Sequence, residues 1–107
     1  MDTPLKGRPD DVLDDLEQMI LEAIERDDIS QFYVGCSTDL KAAQERHGSD
    51  EVIPLYESAY ADKSMEVGES LLKTFYNHPK CENESERGDW RLSPEGLSYV
   101  YTAIWRR

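Results

Sequence analysis

The chain has 107 residues, 38% of them apolar and 33% charged, and a net charge of -11. That length suits one domain with one modest core, and two cysteines, Cys36 and Cys81, are too few for a disulfide framework. No stretch approaches the ~20 apolar residues of a membrane span, and the leading MDTPLKGRPDD carries no apolar run of a signal peptide, so the sequence reads as a cytoplasmic protein.

The acidity is uneven. Residues 1–28 hold ten acids and three bases, whereas residues 29–107 hold thirteen acids and nine bases. Nucleic-acid binders are normally basic, because neutralising phosphates supplies most of their affinity. A duplex would be repelled by this chain at long range. The excess acid has three readings: adaptation to a high-salt cytoplasm, a surface for a basic partner that imitates nucleic acid, or a plain solvated helix face. Arg106 and Arg107 form the only local positive patch of the sequence.

Residues 1–9, with Pro4, Gly7 and Pro9, read as a flexible leader. The spacing of Val12, Leu13, Leu16, Met19, Ile20, Ala23 and Ile24 predicts a helix over residues 10–27, capped by Asp10 or Asp11. Its other face carries Asp11, Asp14, Asp15, Glu22 and Glu25, the candidate surface for a basic partner. Residues 30–36, SQFYVGC, predict a strand. A helix of about ten residues follows, capped by Ser37 or Thr38 and stopped by Gly48, with Leu40, Ala43 and His47 facing inward. A strand over 52–60 contains Pro54, which places it at an edge or a bulge.

A third helix runs from Asp62 or Ser64 to about Asn77, with Met65, Leu72 and Tyr76 in line. Glu69 falls on the same line, where a carboxylate needs a partner, a metal or water. Residues 78–95 read as loop. In the strand over 96–105, Tyr99, Tyr101, Ala103 and Trp105 alternate with Ser98, Val100, Thr102 and Ile104. The fold class is therefore α/β or α+β: a small three-stranded, mostly antiparallel sheet flanked by helices, in a single domain over residues 10–107.

Tyr33-Val34-Gly35, then His47, Glu69 and Asn83, in that order and spacing, resemble the GIY-YIG endonuclease family over roughly residues 30 to 105. The resemblance implies a small antiparallel sheet with helices, a divalent cation (Mg²⁺ or Mn²⁺) on Glu69, and Tyr33, His47 and Asn83 in the catalytic set. The family's arginine would stand at position 43, which is alanine, and no Gly-Ile-Tyr strand precedes Tyr33. Arg46 is the nearest substitute for the arginine. The C-terminal strand, with Tyr99 and Tyr101, can pair beside Tyr33 and present a substitute tyrosine, with Tyr101 the candidate.

Taken together, these features lead first to a catalytically impaired GIY-YIG-like domain that binds, or inhibits, a basic nucleic-acid-binding protein through its acidic helix. The alternatives are an active metal-dependent nuclease in a high-salt cytoplasm and a plain structural domain. A zinc site from Cys36, His47, His78 and Cys81 is disfavoured, because only His78 and Cys81 have ligand-pair spacing. Cys36 reads as a small buried residue rather than a nucleophile.

Overall fold

A computed structural model describes residues 4–83, Trp90, Leu92 and residues 96–107. It is a small α+β domain with helices α1 (Pro9–Ile24), α2 (Leu40–His47) and α3 (Ala61–Phe75). Strands β1 (Ile29–Ser37), β2 (Glu51–Ser58) and β3 (Ser98–Arg106) form one antiparallel sheet in the order β1-β3-β2. No helix among the described residues is long and apolar enough to cross a membrane.

The last strand in sequence is the central one, which is why its residues are the most apolar on both faces. One face of the sheet packs on α1 and α3. There Leu16, Ile20 and Ile24 meet Phe32, Val34, Leu55, Leu71 and Val100, all fully or almost fully buried. Each such side chain contributes about 1.5–3 kcal/mol through burial. Among the described helices α2 covers the other face, with Ala43, Tyr101 and Ala103 buried and Tyr33, Leu40, Val52 and Trp105 packed against them. Alternation along β3 thus sends Tyr101 and Ala103 to the α2 side and Val100 to the other, as the pattern predicts.

Local chemistry moves several boundaries. Helix α1 starts at Pro9, a residue suited to the first helical position because its φ is preset and its missing N–H is not needed there. Asp10 and Asp11 consequently lie in the first turn rather than at the cap, and the helix ends at Ile24. In α2 the cap is Asp39, whose carboxylate accepts from Ala42 N at 3.1 Å. Gly48 closes it with a φ of 63°, the left-handed conformation that favours glycine. Pro54 lies on the outer strand β2, and the pairing register slips between Pro54 and Tyr56.

Two expectations change. The leader is not free: Leu5 N donates to Leu55 O and Leu5 O accepts from Glu57 N, both at 2.9 Å, so Leu5 lies along the outer edge of β2. The inward face of α3 consists of Ser64, Val67, Gly68, Leu71, Leu72 and Phe75, and Glu69 is exposed beside it. The apolar periodicity missed this because Ser64 and Gly68 are not apolar. A Cβ at Gly68 would stand 2.6 Å from Cys36 Sγ and 2.7 Å from the Trp90 ring, so glycine lets α3 approach β1.

Candidate functional site

The outer edge of β1 carries the site. Tyr33 projects from β1 toward α2, and β3 lies beside it with Gly35 opposite Tyr101. A Cβ on Gly35 would come within 2.6 Å of the Tyr101 hydroxyl and 2.7 Å of the Tyr33 ring. The glycine of Tyr33-Val34-Gly35 therefore makes room for two tyrosines. Their ring centroids are 6.3 Å apart, and the His47 ring sits 4.4 Å from that of Tyr33.

Tyr101 is the hub. Its hydroxyl lies 2.8 Å from His47 Nε2 and 3.5 Å from Arg46 Nη2. Arg46 donates to the oxygen at that long distance, and the short bond to His47 Nε2 carries one proton whose side follows the His47 tautomer. Burial, helped by the Tyr33 hydroxyl and opposed by Arg46, pushes Tyr101 up to about 12. Burial and then the Arg46 charge lower His47 below its usual range. At neutral pH the pair is an uncharged tyrosine against an uncharged imidazole.

An open cleft of ≈ 500 Å³ is lined by Tyr33, Cys36, Asp39, Arg46 and Trp90, among others, while Tyr101 is fully buried and outside its lining. Trp90 bends round the β1 edge from Gly68 to Tyr33, and its Nε1 donates to the Tyr33 hydroxyl at 3.4 Å. The Tyr33 oxygen is then an acceptor already engaged, with its own proton available to the cleft. Cys36 is buried; desolvation first and the Glu69 charge second push its thiol far up, so it is no nucleophile.

The expected site residues divide into three groups. Tyr33, Arg46, His47 and Tyr101 converge from three elements. Arg46, the nearest substitute for the arginine, is exposed and lines the cleft. Glu69 is exposed on α3, close enough to Cys36 to act on its thiol, and has no ion-pair partner among the described residues. Asn83 stands at the β1 edge in another role. Its Oδ1 accepts from Val34 N at 3.0 Å and its Nδ2 donates to Val34 O at 2.9 Å, as a neighbouring strand would. The backbone of Phe32 continues that pairing, donating to Lys80 O and accepting from Glu82 N.

Ala43 is fully buried beneath Tyr101 and Ala103, so this position is part of the floor and not of the cleft. No three His, Cys, Asp or Glu side chains gather as a metal site among the described residues. A lone exposed carboxylate still fits a cation such as Mg²⁺, which keeps several waters and takes other oxygens from a substrate phosphate. The acidic face of α1 is as expected: Asp11, Asp14, Asp15, Glu22 and Glu25 are all exposed.

Sequence reasoning missed the tie from Trp90 to Tyr33, because no period links a loop residue to a strand. Arg106 is not a free positive charge, since Asp28 and Glu51 pair with it. Comparison with protein-family models, with curated proteins and with solved structures finds no match.

Proposed function

We propose that the β1-edge cleft binds a phosphodiester, as a degenerate GIY-YIG-like nuclease site in which Arg46 takes over the charge missing at Ala43. The observation that carries the reading is that Arg46 and Tyr33, from different elements, line one cleft, with the Arg46 guanidinium 3.5 Å from the hydroxyl of the buried Tyr101. Three elements supply these groups, which is what a preorganised polar site requires. This placement supports reading the cleft, and not the acidic helix alone, as a binding surface.

Each side chain then has a task. Arg46 faces the phosphate and offsets charge developing on it. Tyr33 donates its free proton to a phosphate oxygen. The buried Tyr101 hydroxyl, 2.8 Å from His47 Nε2, accepts from Arg46 and steadies its guanidinium at the cleft. Glu69 would hold Mg²⁺ or Mn²⁺, and such a cation, when bound, polarises the scissile phosphate. Net acidity opposes nucleic acid at low salt. In molar salt the screening length is about 3 Å, and the objection fades.

The test is cleavage of single-stranded, double-stranded and branched DNA and RNA with Mg²⁺ or Mn²⁺, from low to molar KCl. Removing one such electrostatic group costs about 10²–10³ in rate, so Arg46→Ala should lose that much and Glu69→Ala should lose activity as well. No cleavage by the unaltered protein under any condition would end the hydrolytic reading.

A second reading rests on the exposed acids of α1, which would dock a basic nucleic-acid-binding protein by imitating phosphates. Reversal of Asp11, Asp14, Asp15 and Glu22 to lysine should then abolish binding, and binding that survives reversal would sink it. A plain structural domain would show neither cleavage nor charge-dependent binding.

A further inference from the structure

Acids outnumber bases by 23 to 12 in this chain, yet three cations from two distant parts of the sequence gather round a second cavity. It is ≈ 460 Å³ in volume and lies at the β2 edge. Lys6 and Arg8 come from the segment that Leu5 anchors to β2, and Lys63 comes from the first turn of α3. Lys6 pairs with Glu57 at 3.1 Å. Arg8 and Lys63 have no ion-pair partner among the described residues. The Glu57 carboxylate lines the same cavity and is answered by Lys6, so Arg8 and Lys63 leave the lining a net positive charge, which favours an anion.

The cavity also has an apolar platform. Tyr60 is 63% exposed and Leu97 46% exposed, and they are the exposed large hydrophobic residues of the described chain. Both line this cavity. An aromatic ring beside free cations fits a ligand with a flat apolar part and an attached anion. A base stacks on tyrosine with little regard to sequence, and a phosphate takes charge-assisted hydrogen bonds from arginine and lysine. The volume falls within the usual range for small-ligand pockets, about 300–1,000 Å³.

We propose that this cavity is a nucleotide-binding site, with the base against Tyr60 and Leu97 and the phosphate at Arg8 and Lys63. It lies on the opposite sheet edge from the β1 cleft, and the two sites share no lining residue. The proposal therefore stands whether or not the cleft cleaves phosphodiesters.

Calorimetric titration of the intact chain tests it, with adenosine monophosphate, adenosine and inorganic phosphate as separate probes. The monophosphate should bind at least about tenfold more tightly than either fragment, since a charged hydrogen bond and a stacked base each carry about that factor. Arg8→Ala with Lys63→Ala should remove that advantage over adenosine. Tyr60→Ala should weaken the monophosphate and adenosine together. All three residues are on the surface, so the variants keep the fold. A single-stranded oligonucleotide that displaces the monophosphate would show a strand-borne nucleotide as the ligand, and failure to displace would show a free one. The proposal is overturned if the monophosphate binds no better than phosphate. It is equally overturned if Arg46→Ala abolishes binding while the Arg8 and Lys63 changes do not, for the ligand would then sit in the β1 cleft.

Discussion

His47 Nε2 and the Tyr101 hydroxyl meet at 2.8 Å, joining α2 to the central strand at residues 54 positions apart in sequence. The contact is half-buried, and the Tyr33 ring packs against the same imidazole at a tilt of 43°. It makes the site sensitive to pH in a definite direction. Burial and Arg46 lower His47 below its ordinary 6.5 in the folded protein. The unfolded chain therefore takes up this proton at higher pH than the folded chain. The contribution is intact above the ordinary value and is lost as pH falls through the lowered one. Unfolding by urea from pH 8 to pH 5 should show the unaltered protein losing stability relative to His47→Gln as the acid range is entered. A difference that stays flat with pH would contradict this account.

Gly35 should not tolerate alanine. Its backbone has an ordinary φ, so the objection is space and not conformation, with the Tyr101 hydroxyl 2.6 Å from where the methyl would be. Both nearest neighbours are aromatic rings held by packing. Overpacking of this kind costs about 1–3 kcal/mol. Gly35→Ala should lower the urea midpoint accordingly and change the near-ultraviolet circular dichroism of the tyrosines. An unaltered midpoint would show that the rings can move aside.

Asn83 should matter to folding more than to chemistry. Both ends of its amide are spent on Val34, completing the open edge of β1. Asn83→Ala leaves Val34 N and O without these partners, at about 1–3 kcal/mol for a part-buried pair. Amide exchange at Val34 should accelerate. Loss of function in Asn83→Ala without faster exchange would instead assign the side chain to the cleft.

Thr102 offers a stabilising change. Its hydroxyl is buried in β3 on the face opposite Tyr101 and has no hydrogen-bond partner among the described residues. Replacing it with a methyl group of the same shape removes a polar group that costs about 1–3 kcal/mol to bury. Valine is also β-branched and suits a strand. Thr102→Val should raise the thermal midpoint, and a lower one would mean that the hydroxyl is satisfied.

Much of the architecture was legible in the residues alone. The three helices, the three strands and their order along the chain follow from apolar period, from Gly48 as a stop and from Pro54 as a mark of an edge or a bulge. These are local signals, because helix and strand periods are written within ten or so residues. The same holds for the acidic outer face of α1, which needs only the helical period to be drawn. The choice of Tyr33, His47 and Tyr101 as candidates also came from the sequence.

Only the tertiary structure decided what those residues do together. It placed Tyr101 beside Gly35 through strand pairing across 66 positions, and it buried Ala43 as floor while turning Arg46 into the cleft. It moved the inward face of α3 onto Ser64 and Gly68, leaving Glu69 exposed, and gave the Asn83 amide to Val34. It also brought Lys6, Arg8 and Lys63 round one cavity. The physical reason is common to all of them. Pairing register, close approach and side-chain convergence depend on contacts between segments far apart in the chain, and composition and period carry no record of such contacts.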